Sequence, residues 1–201
     1  MVYMGRTLNL AARAKILQSA HTLIFKGGFK GVSMDDIATS SGIKKANLFH
    51  YYPTKEALGL AVFEYAAQEY RDTFSNLLAG SSDPLDAVQT LFDNACKKMK
   101  DGCCAGGCFV GNMAQELSDH NETIRQKIAS HLQAWTDQLA GFFESWKSRG
   151  FFRTDFNSRQ ASQSILSLFE GATLFCKATR QTSALDHAKA CAVAYLRVYK
   201  E

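Results

Sequence analysis

Apolar side chains recur every three or four residues through most of the chain, and no stretch alternates convincingly in the manner of a strand. Ile16, Ala20, Leu23 and Ile24 share one face of a first helix, which Gly27-Gly28 ends. Ser33 stands where an N-cap belongs, with Asp35 and Asp36 in the first turn, where a helix dipole favours acids. That second helix covers about 34–40. Gly42 suits a turn that needs positive φ, and a third helix covers about 44–51 before Pro53 breaks it. Thr54 caps a longer fourth helix, with Glu56 early in it.

The helical period continues to the end. Ile124, Ile128, Leu132, Trp135, Leu139, Phe142, Phe143 and Trp146 step by three or four, as do Ala161, Ile165, Leu168, Phe169, Ala172 and Cys176, and then Ala188, Cys191, Ala192, Tyr195 and Tyr199. Turns fall at Gly80–Pro84, Gly102–Gly107, Arg149-Gly150 and Gln181–Ser183, and there is no internal repeat. The pattern predicts an all-α chain of about nine helices: a head over 1–53 and a helical bundle over 54–201, with the fourth helix as connector.

Composition narrows the class. The 201 residues are 46% hydrophobic and 21% charged, enough apolar surface for a core and no run long enough to span a bilayer. The stretch MVYMGRTLNLAARAK has no apolar export signal, so the expected location is the cytoplasm, with reduced cysteines and no membrane. The net charge of +4 is uneven. Residues 1–55 carry eight Lys/Arg against two acids, and the remainder is slightly acidic. A basic head points to a polyanion partner.

The two short helices joined at Ser41-Gly42-Ile43 have the arrangement of a helix-turn-helix, whose second helix enters the major groove of DNA. Ile37, Ala38, Ile43, Leu48 and Phe49 are placed to pin these helices to the first. Lys44, Lys45, Asn47, His50 and Tyr51 then face outward, with side chains suited to phosphates and base edges. Lys55, in the first turn of the fourth helix, is placed to hold a phosphate.

The stretches Gly31-Val32-Ser33-Met34-Asp35-Asp36-Ile37-Ala38 and Ser41–Leu58 resemble the DNA-binding signature of TetR-type transcriptional repressors. The resemblance implies a homodimeric repressor of double-stranded operator DNA whose bundle binds an inducer. Carried across by position, Ser33, Tyr51 and Lys55 would contact phosphates, while Lys45, Ala46 and Asn47 would face the bases. Ala46 departs from the glycine often found there, which alters close backbone approach.

In the bundle, small-molecule sites lie between helices and are mostly apolar. The candidates for lining one are Phe92, Cys96, Met99, Met113, Trp135, Leu139, Phe143, Trp146 and Phe169. Two stripes with small residues, Leu168 and Phe175, then Ala188, Cys191, Ala192 and Tyr195, are the expected dimer face or, on the plainer reading, the closure of the monomer core. Two heads about 34–36 Å apart would meet successive major grooves.

Cys103, Cys104 and Cys108 put three thiols in six residues, inside a Gly-rich turn. Cys108 opens the next helix, and the dipole there favours thiolate. Metal binding with His120 or Cys96 is a rival, although paired C-x₂-C spacing is missing; inert burial is another. Gly107–Asn112, Ala114–Asp119 and Phe169–Lys177 resemble the branch of the same family that answers N-ethylmaleimide. That resemblance implies a sensor at Cys108, with Lys177 as its partner.

Three functions are weighed: a ligand- or redox-responsive repressor, an enzyme with a Cys108 nucleophile paired with His120 or His131, and a DNA-binding protein with an inert bundle. No phosphate loop, G-x-S-x-G step or metal motif supports the enzyme, so the expectation is no enzyme, no cofactor and no metal.

Overall fold

A computed structural model describes residues 9–201. Residues 1–8, which carry part of the reading of the N-terminal stretch, lie outside them. The described residues form nine helices: α1 (Leu10–Gly27), α2 (Met34–Ser41), α3 (Lys45–Tyr51), α4 (Lys55–Gly80), α5 (Pro84–Asp101), α6 (Phe109–Leu117), α7 (Glu122–Lys147), α8 (Ser158–Thr179) and α9 (Ser183–Val198). Among them the strand-like pairing is one isolated antiparallel bridge, Phe152 to Lys200. Among the described residues no helix is long and apolar enough to cross a membrane.

The chain falls into two compact units that meet between Gln68 and Glu69, inside α4. The break expected after residue 53 is displaced because the first turns of α4 pack within the head. Gly59 lies under the Phe29 ring, Lys55 sits over that ring, and Tyr65 meets His21 edge-on. Leu58, Val62 and Phe63 are buried accordingly.

In the first unit local chemistry sets the helix ends. The Asn9 side chain caps α1 by accepting from the Ala12 N–H. Ser33 and Asp36 form a reciprocal capping box on α2. Gly42 takes the left-handed conformation, φ 67°, that ends α2 and turns the chain into α3. Ile16, Ile37 and Leu48 are fully buried and join the three helices. Phe49 departs from expectation: it is 39% exposed, because one residue of a seven-residue helix, Leu48, already fills the gap.

In the second unit α8 packs on α7 and α9, and α5 packs on α9. The connection after Arg149-Gly150 is more than a turn. Phe152 stacks on Phe156 at 4.1 Å, and Phe143 and Tyr199 meet the same pair edge-on or tilted. This aromatic knot is closed by the Phe152–Lys200 bridge and fixes one end of the bundle.

Candidate DNA surface and bundle cavity

On α3 only Leu48 is buried; Lys45, Ala46, Asn47, Phe49 and His50 are exposed, and so is Lys44 just before the helix. One buried anchor and an open remainder is what a helix needs if it is to be held by the protein and still fit a groove. Four of the polar groups on and around this surface have resting partners. Lys45 pairs with Asp35 at 2.7 Å. Lys55 donates to the Lys30 carbonyl. The Ser33 hydroxyl donates to Asp36 and accepts from its N–H. Tyr51 accepts from the Asn9 N–H at 3.2 Å, holding the start of α1 against the end of α3. The His50 and Tyr51 rings meet edge-on.

The bundle holds a cavity of about 190 Å³ with mostly apolar walls. Of the residues named from sequence, Met99, Trp135 and Phe169 line it. Trp135 meets Phe74 and Phe169 edge-on, each at 5.6 Å, and these rings form one wall. Phe92, Cys96, Met113 and Leu139 are buried but absent from the lining. Phe143 belongs to the aromatic knot, and Trp146 packs on Phe142 and Phe151. Sequence reasoning missed the whole α4 contribution (Tyr70, Arg71, Thr73, Phe74 and Leu77), together with Lys98, Val110, His131 and Thr173. On α7 the apolar stripe read from sequence includes Leu132, yet Leu132 is exposed and its neighbour His131 is the buried one.

Cys108 also lines this cavity. The expected lowering of its pKa is reversed. Burial pushes the thiol well above its ordinary value, and the nearby Glu170 carboxyl, to which the S–H donates, pushes the same way. The N–H groups of Gly111 and Val110 at the start of α6 act in the opposite sense and are outweighed. Burial also raises the Glu170 pKa. The Tyr70 hydroxyl is raised too, by burial and then by Cys108, Glu69 and Glu170. Lys177 lies close by, but its ammonium donates to the Asn112 side chain at 2.9 Å, and Asn112 in turn donates to the Gly106 carbonyl. Its stem runs along Gly107, where a Cβ would stand 3.2 Å from the Lys177 Cδ. Lys177 thus braces the turn that delivers Cys108.

The other thiols separate. Cys103 and Cys191 are exposed, while Cys96, Cys104 and Cys176 are buried in the core. Cys103 and Cys104 both take left-handed backbone, φ 51° and 56°; the first side chain is exposed and the second buried. The described residues bring no three His, Cys, Asp or Glu side chains into a group able to hold a metal ion.

The expected dimer stripes also divide. Ala188 and Ala192 are buried inside the bundle, and Tyr195 packs partly against its core. These three close the monomer, because α9 turns that face onto α5 and α8. Leu168, Phe175 and Cys191 are exposed, and Leu174 and Val198 join them.

Known proteins match both units. The model of bacterial regulatory proteins of the tetR family matches residues 16–62, and that of the tetracyclin repressor-like C-terminal domain matches 84–192. The chain is 22% identical over 179 residues to the HTH-type transcriptional repressor NemR of Escherichia coli K12, covering 89% of this chain and 90% of NemR. It is 22% identical over 175 residues to the repressor DhaR of Mycobacterium sp. GP1, covering 87% and 86%. The solved structure of E. coli NemR in its reduced form superposes with a TM-score of 0.84, covering 90% of this chain and 95% of that one. A TetR regulator from Chloroflexus aurantiacus, 24% identical, gives 0.85 with 95% and 96% covered.

Proposed function

Because the chain belongs to the TetR family of bacterial transcriptional regulators, we propose that it is a homodimeric repressor released from operator DNA by a small, largely apolar molecule that enters the bundle cavity, and that Cys108 is the group which reacts when that molecule is an electrophile. The observation that carries the DNA half is the exposed face of α3 around its single anchor Leu48. Lys45, Ala46 and Asn47 are the residues for base edges, with Lys44 and His50 beside them; Ser33, Tyr51 and Lys55 flank them for phosphates. The relatives NemR and DhaR are repressors by name.

The partner copy would sit on α8 and α9, where Leu168, Leu174, Phe175, Cys191 and Val198 leave an open apolar face. The inducer would be uncharged for the most part, since the cavity walls are apolar and its polar groups few. The setting for such a protein is the cytoplasm, where operator DNA is found.

The test is a gel shift on the DNA upstream of the protein's own gene, with N-ethylmaleimide and with N-ethylsuccinimide, which has the same shape but no reactive double bond. Release by the maleimide alone, lost in Cys108→Ser, is the expected result. The raised thiol pKa favours a second reading, a non-covalent inducer; release by both compounds, in wild type and Cys108→Ser alike, would establish it.

A further inference from the structure

Burial and the Glu170 carboxyl favour the thiol over the thiolate at Cys108, yet this side chain lines a cavity and its S–H donates to that carboxyl. Resting on the covalent reading above, we propose that Glu170 is the base that takes the Cys108 proton as an uncharged electrophile in the cavity adds to the sulfur, and that residue 111 is glycine so that this carboxyl can reach the thiol.

The geometry is specific. A Cβ built on Gly111 would stand 2.6 Å from Glu170 Oε2 and 3.7 Å from the Cys108 Cβ. The carboxyl therefore lies in the space that any other side chain at 111 would fill, one helical turn from the sulfur. Its second oxygen, Oε1, is buried with no hydrogen-bond partner. A buried acceptor without a donor is unfavourable unless it has a use, and beside a thiol its use is to receive a proton. The alternative activator, a neighbouring ammonium, is directed elsewhere: Lys177 donates to Asn112.

The other groups facing this site come from three helices. Tyr70 of α4 lies close to both Cys108 and Glu170, and Glu69 lies close to Tyr70. The Lys98 ammonium of α5 lies over the Tyr70 ring at 5.4 Å. His131 of α7 lines the cavity, with Arg71 of α4 near enough to lower its pKa.

The step balances without an oxidant. For an α,β-unsaturated carbonyl compound, the S–C bond forms at the β-carbon as the S–H proton passes to Glu170. The π pair of the C=C bond shifts to join the α-carbon to the carbonyl carbon, and the C=O π pair moves onto oxygen, giving an enolate. The proton then returns from Glu170 to the α-carbon, leaving a thioether and a restored carboxylate.

The experiment follows N-ethylmaleimide labelling of the full chain by peptide mass spectrometry between about pH 6 and pH 9. Cys103 is exposed, lies off the face assigned to the partner copy, and serves as the reference in the same molecule. A thiol reacting through its own ionisation speeds up about tenfold per pH unit below its pKa. In wild type the Cys108 rate should follow the ionisation of Glu170 and then level off while Cys103 still climbs. Glu170→Gln should slow Cys108 at least tenfold near pH 7 and give it the slope of Cys103. Gly111→Ala should do the same with the carboxylate retained. Equal Cys108 rates and slopes in wild type and Glu170→Gln would overturn the base while leaving the thiol sensor standing. A wild-type Cys108 that stays unlabelled while Cys103 reacts would remove the covalent reading itself. If both variants fail to fold, the wild-type profile decides: a Cys108 rate that climbs in parallel with Cys103 overturns the base.

Discussion

The Lys45 ammonium lies 2.7 Å from the Asp35 carboxylate, tying α3, the helix proposed to read DNA, to α2 before it. Both side chains are mostly exposed, so the pair adds little to stability. Its weight falls on binding, because DNA must draw Lys45 away from an acid that also repels phosphate. Asp35→Asn should raise operator affinity about threefold at low salt, an advantage that shrinks as salt rises. Lys45→Ala should weaken binding to the operator more than binding to unrelated DNA, as the loss of a base-edge contact does. Fluorescence anisotropy at several salt concentrations, on operator and unrelated DNA, checks both; an Asp35→Asn affinity at or below wild type would show that the acid does not compete.

Phe175 is 64% exposed on α8, and its removal disturbs no core. Phe175→Glu should leave the helical content intact, while sedimentation velocity should show a monomer for the variant and a dimer for wild type. Operator affinity should drop by at least about tenfold, since two heads no longer bind together. A variant that still sediments as a dimer would place the interface elsewhere.

Two buried groups oppose each other in acid. Burial, then Arg71, lowers the His131 pKa, so its protonation favours the unfolded chain. That loss of stability begins as pH falls through the unfolded value near 6.5 and is complete below the folded one. Burial raises Glu170, whose stabilising contribution is present below its unfolded value near 4.5 and is lost as pH rises through the raised one. Thermal melting of wild type and His131→Gln between about pH 5 and 7 separates them. The variant should lose stability less on acidification; an unchanged slope would mean that His131 does not titrate in this range.

Ala95 lines the cavity, and a large side chain there fills it. Ala95→Trp should weaken apolar inducers by at least about tenfold while operator binding without inducer persists. Trp135 emission reports the occupant directly, in a Trp146→Phe background where it is the wild-type tryptophan that remains. A full response to inducer in Ala95→Trp would move the binding site out of this cavity.

The helices were legible because their period and caps are local. Ser33 with Asp36, Gly42, and Thr54 ahead of α4 each mark an end by a contact within a few residues. The cavity was legible only in part. Met99, Trp135 and Phe169 lie on clearly amphipathic helices, whereas α4 is apolar on more than one side, and periodicity cannot say which side meets space. Phe143 and Trp146 share the stripe of Trp135 but lie two or three turns further on, where Phe151, Phe152 and Phe156 fill the room. The thiol was misjudged for a related reason. A helix start is written in sequence and favours thiolate, but the burial and the Glu170 carboxyl that overrule it arrive from 62 residues away.

The aromatic knot gives the bundle a mechanical asymmetry. α7 and α8 each run from a hollow part, with His131 and Trp135 or Phe169 and Thr173, to a solid part, with Phe143 or Ile165. Close-packed rings compress poorly, whereas walls around a void can yield. An occupant should therefore meet resistance unevenly, so that the helices tilt about the stiff end instead of spreading in parallel. A small shift at the contact would then grow with distance from that fulcrum. Loosening the knot, far from any ligand, would blunt the response by letting the strain escape into the pivot.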